Sequence, residues 1–211
     1  MKRKILSALF FLYLSSAFSA VNDNGDIQLW VQEQTSLPIT HVGMLFFDAE
    51  SRIGNEASQL YYVQMQAISL FPITHYLEMG PGYRQIWRQK RSTFKPIFEP
   101  EFDAILKTKT GKVKLLNRNR FSYRFVDDGQ NSAQYRLLVK MSFDYSLSPF
   151  LSNEFFFDNH RDFFQNRLAA GISTPIIKNV KINTFYLLRS LKSFQKWNLN
   201  HVFGLYLKMA F

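Results

Sequence analysis

The chain has 211 residues, with 26 Lys and Arg against 16 Asp and Glu, a formal net charge of +10 and no cysteine. The lack of cysteine excludes a disulfide framework and thiol chemistry. The cations are spread over alternating positions and connections and do not cluster on a helix, so nucleic-acid binding is not expected. The chain also contains 22 Phe and 10 Tyr, an aromatic content that transmembrane β-barrels place in girdles at the two membrane interfaces.

Residues 1–19 have the features of a secretory signal peptide. A basic start at residues 2–4 precedes an apolar run at residues 5–14 that is too short to span a bilayer as a helix. Ala17 and Ser19 then occupy the small-residue positions of a cleavage site. We therefore expect export, with residues 20–211 forming one barrel domain.

From residue 26 onward, apolar and polar side chains alternate in segments typical of β-strands with two different faces. The predicted strands are 26–35, 39–51, 59–71, 73–87, 94–108, 112–126, 133–145, 149–158, 163–173, 179–190 and 198–211. Their connections alternate between short and long, as in outer-membrane barrels, whose tight turns are periplasmic. We predict an all-β, antiparallel transmembrane β-barrel of about 10 to 12 strands. Because even numbers are usual, either 26–35 lies in the lumen or one segment contains a further strand.

The segments on either side of residues 109–112 predict a register. A two-residue turn that ends at Gly111 would place Asp103 opposite Arg118 and Glu101 opposite Arg120. All four charges then share one face, and the other face of both segments is mainly apolar. Paired charges of this kind suit a polar lumen, because a buried charge needs a partner.

Twelve charged residues are predicted to line the lumen: Glu78, Arg84, Glu99, Glu101, Asp103, Arg118, Arg120, Arg124, Arg136, Lys140, Glu154 and Arg167. They would form either an ionic plug that closes the barrel or the lining of a narrow pore. Barrels of about eight strands are filled by side chains and those of 16 or more leave a channel, so the predicted strand number does not decide between them. Asn117 and Asn119 fall on the face predicted to meet lipid, and a bulge near Asn117 would remove one of them. The segment 179–190 is apolar on both faces, which the pattern does not explain.

Two further groups of residues point to the membrane. The C-terminal segment carries apolar residues at alternating positions: Phe203, Leu205, Leu207, Met209 and Phe211. This arrangement resembles the C-terminal signature by which the barrel assembly machinery recognises outer-membrane barrels. Six cations in two predicted outer loops are expected to meet the phosphates of lipopolysaccharide: Arg88, Lys90, Arg91, Lys95, Lys192 and Lys196.

The sequence predicts no catalytic, metal or cofactor site. The histidines are His41, His75, His160 and His201. None has a partner at the spacing of metal ligands on a helix. An outer-membrane lipid hydrolase would need a His, a Ser and an orienting acid, for which His160 with Asp158 or Asp162 is conceivable, although no motif joins them. The other alternative is a soluble periplasmic ligand-binding barrel, against which the apolar outer face argues.

Six stretches occur in order along the chain: DIQLWVQ (26–32), GPGYRQIW (80–87), NRNRFSYRFVDDG (117–129), LSNEFFFD (151–158), FQNRLAAGIS (164–173) and WNLNHVFGLYLKMAF (197–211). In this order and spacing they resemble DUF2490, a family of bacterial outer-membrane β-barrels of unknown function. The resemblance implies a barrel in the outer membrane of a Gram-negative bacterium, and it brings no catalytic residues. We therefore expect a non-enzymatic protein whose partners are outer-membrane lipid and the assembly machinery.

Overall fold

The computed structural model of the protein describes residues 25–39, 42–90, 93–127, 129–193 and 196–211. Its strands are β1 (Ile27–Ile39), β2 (Gly43–Gly54), β3 (Gln59–Pro72), β4 (Leu77–Lys90), β5 (Thr93–Thr110), β6 (Val113–Val126), β7 (Ser132–Phe143), β8 (Ser148–Asp158), β9 (Asp162–Ile177), β10 (Val180–Ser193) and β11 (Lys196–Ala210). Neighbours in the chain are neighbours in the sheet, and β1 closes the barrel against β11. The predicted signal peptide lies outside the described residues. Within them, no helix has the length and apolar character needed to cross a bilayer.

The eleven predicted segments are confirmed as strands, and the first of them lies in the barrel wall. Consecutive strands pair antiparallel, but β1 and β11 pair in parallel, from Ile27 beside His201 to Ser36 beside Ala210. The all-antiparallel prediction therefore differs from the structure at this one pair. The reason is parity, because alternating directions around an odd number of strands must bring two strands of the same direction together.

Each end of the barrel has connections of similar length. The C-terminal rim, which carries Phe211, has connections at 40–42, 73–76, 111–112, 144–147 and 178–179. The N-terminal rim, which carries Gly25, has connections at 55–58, 91–92, 127–131, 159–161 and 194–195. The prediction of long loops at one end is wrong, because the strands continue through them. Connection length therefore does not distinguish one rim from the other.

The turn between β5 and β6 explains why the predicted pairing of these two strands was wrong. It consists of Gly111 and Lys112, not of Thr110 and Gly111. Gly111 has a φ of 59°, a left-handed value that costs glycine little and a β-branched residue such as threonine much more. Placing the glycine first in a two-residue hairpin loop satisfies this requirement with a single residue.

The resulting register is shifted by two residues from the predicted one. Asp103 lies opposite Arg120 and not Arg118, and Glu101 lies opposite Ser122. Because strand side chains alternate with period two, an even shift changes partners and keeps every side chain on its predicted face. The division into a charged face and an apolar face therefore holds although the pairing does not.

Charged groups lie inside the barrel and large apolar groups lie outside. Glu99 and Asp103, which face inward on β5, are 0% and 1% exposed. Phe121 and Phe203, which face outward on β6 and β11, are 56% and 54% exposed. Both faces of β10 are apolar because Leu187 packs inward. It belongs to a lumen cluster with Trp30, Ala169 and Val202.

Two outward-facing asparagines form a hydrogen bond between their side-chain amides. The register runs through Asn117 and Asn119 without a bulge, so the bulge predicted near Asn117 is wrong. Asn119 Nδ2 donates to Asn117 Oδ1 at 2.6 Å, and the Tyr135 hydroxyl donates to Asn119 Oδ1 at 2.6 Å. These contacts reduce the cost of placing amides on an apolar face.

Candidate functional site

The lumen contains two regions with different chemistry. The first, which we name the ionic plug, comprises Glu50, Arg52, Arg84, Glu99, Glu101, Asp103, Arg118, Arg120, Arg124, Arg136, Glu154 and Arg167. The second, which we name the basin, is a cavity of about 1360 Å³ that extends from the plug to the C-terminal rim. Both are built from inward-facing positions of the strands, so the alternation of the sequence determines which side chains enter them.

One part of the plug crosses β4, β5 and β6. Arg84 Nη2 donates to Glu101 Oε2 at 2.6 Å, and Gln66 Nε2 donates to the other oxygen of Glu101. Arg120 donates from Nε and Nη2 to the two oxygens of Asp103, at 2.6 and 2.7 Å. Arg120 Nη1 also lies 3.2 Å from Glu101 Oε2. This bidentate geometry is the strong form of a carboxylate–guanidinium contact.

Glu99 extends this network toward the N-terminal rim. Its Oε1 accepts a hydrogen bond from the Ser122 hydroxyl at 2.8 Å, and its Oε2 accepts from Arg124 Nε and Nη2 at 3.0 and 2.9 Å. Arg84 Nη1 lies 3.6 Å from Glu99 Oε1 and so joins Glu99 to Glu101. This fully buried carboxylate therefore joins β5 to both of its neighbours, β4 through Arg84 and β6 through Ser122 and Arg124.

The second part of the plug has an excess of positive charge. Arg136 Nη2, Arg118 Nη2 and Arg167 Nη1 lie 2.7, 2.9 and 3.5 Å from the carboxylate of Glu154. Three guanidinium groups thus surround one carboxylate. The Arg136 and Arg167 guanidinium carbons also lie 4.6 and 4.4 Å from the ring centroid of Phe156, where the ring face supplies further stabilisation.

A third part of the plug contacts aromatic residues that are not among the twelve predicted lumen residues. Arg52 Nε donates to Glu50 Oε1 at 2.5 Å. Its guanidinium lies between the rings of Trp30 and Tyr62, 4.0 and 3.9 Å from their centroids. The signal that could have found this group is the alternation Asp48, Glu50, Arg52 in the second strand.

The N-terminal side of the plug is packed with apolar and amide side chains. Tyr61, Tyr62, Ile86 and Ile97 form a buried cluster there. The Tyr61 hydroxyl and Trp30 Nε1 both donate to Gln28 Oε1, at 2.7 and 3.1 Å. Side chains therefore fill the lumen toward the N-terminal rim, and the basin lies toward the other rim.

The basin has walls of opposite character. Its apolar wall consists of Phe46, Ile68, Leu70, Ile105 and Leu116, which pack on one another. Its polar lining includes Asp48, Arg118, Lys140, Tyr206 and Lys208. At the C-terminal rim, Lys109 Nζ and Lys114 Nζ each lie 2.7 Å from Asp144, and their hydrogen bonds lower the pKa of the Asp144 carboxyl to about 2.

The structure brings together ten of the twelve predicted lumen residues in the plug. The two others face inward elsewhere. Glu78 pairs with Lys107 at 2.5 Å near the C-terminal rim, and Lys140 lines the basin.

The five predicted lipopolysaccharide contacts that the structure describes form two separate groups at the N-terminal rim. Arg88 lies opposite Lys95, and Lys90 lies near them at the end of β4. Lys192 and Lys196 flank the connection between β10 and β11. Four strands on one side and three on the other separate the groups, so they do not form one patch. Arg91 lies outside the described residues.

The predicted assembly signal occupies one face of β11. Phe203 and Phe211 are 54% and 71% exposed, and Leu205, Leu207 and Met209 are partly exposed. The Phe211 backbone N–H donates to the Ser36 carbonyl oxygen at 3.1 Å.

The histidines that the structure describes are engaged in local contacts. His160 Nε2 donates to the Asn131 carbonyl oxygen at 2.8 Å, and Gln130 Nε2 donates to His160 Nδ1 at 3.3 Å. Asp158 accepts from the backbone N–H of His160 at 3.0 Å, so this carboxylate orients the connection and not the imidazole ring. His75 stacks edge-on against Tyr76.

Of the other two histidines, the structure describes one. His201 Nδ1 lies 2.6 Å from the Tyr186 hydroxyl, and His41 lies outside the described residues. Among the described residues, no group of three or more His, Cys, Asp or Glu side chains could hold a metal ion.

The comparisons with known proteins agree with the resemblance noted in the sequence. The sequence model of the family described as Protein of unknown function (DUF2490) matches residues 27–200. This range contains every plug residue and both walls of the basin except Tyr206 and Lys208. A search among curated proteins finds no match.

Proposed function

The chain belongs to the DUF2490 family of proteins of unknown function, and we propose that this member is a non-enzymatic outer-membrane β-barrel whose lumen is closed by the ionic plug. The observation that carries the proposal is the inverted distribution of side chains. Buried ion pairs fill the centre, and large apolar side chains cover the outside.

The outer face supports a membrane environment. Its exposed apolar side chains include Phe47, Phe98, Phe102, Leu115, Phe121, Tyr123, Phe125, Leu151, Leu168, Ile172, Tyr186 and Phe203. They lie on seven strands, and Met65, Tyr83 and Val139 on β3, β4 and β7 are also exposed. Soluble monomers rarely expose so much large apolar surface. Transmembrane barrels have this apolar outer band with a polar interior.

The plug supports a closed lumen. Its guanidinium groups reach across from strand to strand, and the side chains of Arg84, Glu101 and Arg120 are at most 4% exposed. Moving an ion through this region would require desolvated ion pairs to separate, at a cost of several kcal/mol for each charge left unpaired. The plug therefore acts both as a brace between strands and as a barrier.

The test combines localisation with conductance. We expect the full chain, expressed in a Gram-negative host, to fractionate with the outer membrane and to show a heat-modifiable mobility on gels. In planar bilayers the folded wild type should give no discrete current steps. Recovery in the soluble periplasmic fraction without detergent would contradict the membrane assignment. Discrete steps from the folded wild type would contradict closure and favour the narrow-pore alternative.

The cations of the N-terminal rim are proposed to bind lipopolysaccharide phosphates. Replacing all six by Gln should lower the lipopolysaccharide retained on purification severalfold, because Lys and Arg supply charge-assisted hydrogen bonds to phosphate. Since the two groups are separate, the triple change Arg88→Gln, Lys90→Gln, Lys95→Gln and the double change Lys192→Gln, Lys196→Gln should each have a partial effect. Retention unchanged in the sixfold variant would refute the proposal.

A further inference from the structure

We propose that the basin is a binding site for a single-chain amphiphile with an acidic head group. Its head would lie between Lys140 and Lys208, and its hydrocarbon chain would lie along the apolar wall. The inference is additional to the closure of the lumen proposed above, because it concerns the cavity between the plug and the C-terminal rim.

The two lysines contact aromatic rings, whereas the charges of the plug form ion pairs. Lys140 Nζ lies 3.9 Å from the ring centroid of Phe150, and the charged groups that act on it are two further cations, Lys208 and Arg118. Lys208 Nζ lies 4.4 Å from the ring centroid of Tyr206. Among the described residues, neither lysine takes part in an ion pair.

The carboxylate that acts on Lys208 is already bound by other groups. Asp48 accepts hydrogen bonds from Gln34 Nε2 at 3.1 Å, from Gln32 Nε2 at 3.3 Å and from the Tyr206 hydroxyl at 3.2 Å. These neutral donors hold Asp48 on the β1–β2 side of the lumen. Lys140, on β7, lies between two uncharged strand neighbours, Leu116 of β6 and Ser152 of β8.

The cation excess continues from the plug into the basin. Arg118 lines the basin and shares the single carboxylate of Glu154 with Arg136 and Arg167. Cations crowded in a region of reduced dielectric repel one another, and an anion placed among them relieves this cost. A carboxylate or phosphate is the group that Lys and Arg side chains bind best.

The apolar wall specifies the other half of the ligand. Phe46, Ile68, Leu70, Ile105 and Leu116 face inward on β2, β3, β5 and β6, positions at which a water-filled lumen favours polar side chains. The lysines lie on β7 and β11, and Lys140 is the strand neighbour of Leu116 in the apolar wall, so a head group at the lysines adjoins the surface along which its chain would lie. Apolar walls with a few convergent polar groups are the usual form of a small-ligand site.

The size of the basin suits a chain of moderate length. The inward positions from Asp103, in the plug, to Lys109, at the rim, cover six residue steps. At ~3.3 Å per residue and a strand tilt of roughly 40°, they give a depth of about 15 Å. This depth is comparable to an extended dodecyl chain, and the cavity volume of about 1360 Å³ leaves space for the hydrated head.

Photolabelling can test the site against the background of ordinary lipid contact. The full chain is reconstituted in nanodiscs of zwitterionic phosphatidylcholine and labelled with dodecanoate that carries a terminal diazirine. We expect saturable labelling at inward residues such as Phe46 and Ile68. Labelling at the outward neighbours Phe47 and Met65 should rise linearly with probe concentration, as expected from partition into lipid, and provides an internal reference.

Competitors identify the two parts of the ligand. Both dodecanoate and dodecyl phosphate should abolish the inward labelling, and the stronger of the two shows whether the site prefers a fatty acid or a phosphate ester. Dodecanol, which lacks the acid, and inorganic phosphate, which lacks the chain, should compete poorly. Equal competition by dodecanol would overturn the role of the lysines, and equal competition by inorganic phosphate would overturn the role of the apolar wall.

A matched pair of variants completes the test. The change Lys140→Gln with Lys208→Gln should reduce inward labelling about tenfold or more, as expected for the loss of two charge-assisted contacts. The change Lys112→Gln with Lys178→Gln removes the same charge from exposed turns of the same rim and should leave labelling unaltered. Lys140→Arg with Lys208→Arg should retain it, and heat-modifiable mobility verifies folding in each case. Undiminished labelling in the folded double Gln variant, or no saturable inward labelling in the wild type, would overturn the proposal.

Discussion

The change Glu154→Gln is expected to destabilise the folded barrel by about 3 to 5 kcal/mol, the usual cost of breaking a buried ion pair by removing one partner. Glu154 is the single carboxylate among the guanidinium groups of Arg118, Arg136 and Arg167. A neutral amide of the same shape would leave the buried Arg136 and the partly buried Arg118 and Arg167 with no anion between them. The loss should appear as a lower urea midpoint of the folded fraction, measured by heat-modifiable mobility.

The matched control is Glu78→Gln at the C-terminal rim. Glu78 pairs with Lys107 at 2.5 Å, but the two side chains are 30% and 44% exposed, so water replaces the lost contact and the cost should be at most about 1 kcal/mol. Adding Arg136→Gln to Glu154→Gln should regain part of the stability, because it lowers the uncompensated charge. Equal midpoints for Glu154→Gln and Glu78→Gln would show that the Glu154 cluster does not brace the barrel.

The sequence was sufficient to predict the strands and their faces because both depend on local alternation. Period two in side-chain direction separates Glu99, Glu101 and Asp103 from Phe98 and Phe102 in β5 without any knowledge of the neighbouring strand. Partner identity is different, since it depends on the turn. A single glycine, Gly111, moved the register by two residues because its left-handed φ of 59° requires the first turn position.

Barrel closure could not be predicted from neighbouring segments. The parallel contact of β1 with β11 joins residues about 170 positions apart, as where the Asp26 backbone N–H donates to Asn200 Oδ1 at 3.3 Å. No turn chemistry specifies this pair, and the usual preference for even strand numbers pointed away from it. The prediction of long loops was wrong for a related reason. Polar residues such as Lys90 and Thr93, which suggest a loop in the sequence, remain in paired strands at the rim.

The residues missed by sequence reasoning are those whose role requires a partner from across the lumen. Trp30 and Tyr62 were not among the predicted lumen residues, yet their rings enclose the Arg52 guanidinium. Lys208 lies on the polar face of the last segment, but its relation to Lys140 appears only when β7 and β11 face the same cavity. Single-strand patterns therefore find the lining of a barrel more readily than the clusters that the lining forms.

Opening the plug by side-chain truncation should convert a silent barrel into a conducting one. The variant changes four residues to serine: Arg84, Glu101, Asp103 and Arg120. It removes two cations and two anions, so the lumen charge is unaltered. Glu99 keeps its contacts to Arg124 at 2.9 and 3.0 Å and to Ser122 at 2.8 Å, which leaves one brace between β5 and β6 in place.

We expect discrete current steps in planar bilayers, where the wild type should give none. The truncated side chains would no longer fill the lumen beside β4, β5 and β6. A barrel of eleven strands lies between those filled by side chains and those with an open channel, so the size of these side chains decides the outcome. The seven guanidinium groups and five carboxylates of the intact plug become five and three. The remaining excess of cations should make the steps anion-selective.

The control separates volume from charge. A variant with Arg84→Gln, Glu101→Gln, Asp103→Asn and Arg120→Gln keeps most of the side-chain volume and removes the same charges, so it should stay silent although its urea midpoint falls. Conduction by this isosteric variant would mean that ion pairing, and not volume, closes the lumen. If neither variant conducts while both show heat-modifiable mobility, the barrier lies elsewhere, and the cluster of Tyr61, Tyr62, Ile86 and Ile97 toward the N-terminal rim becomes the structure that closes the barrel.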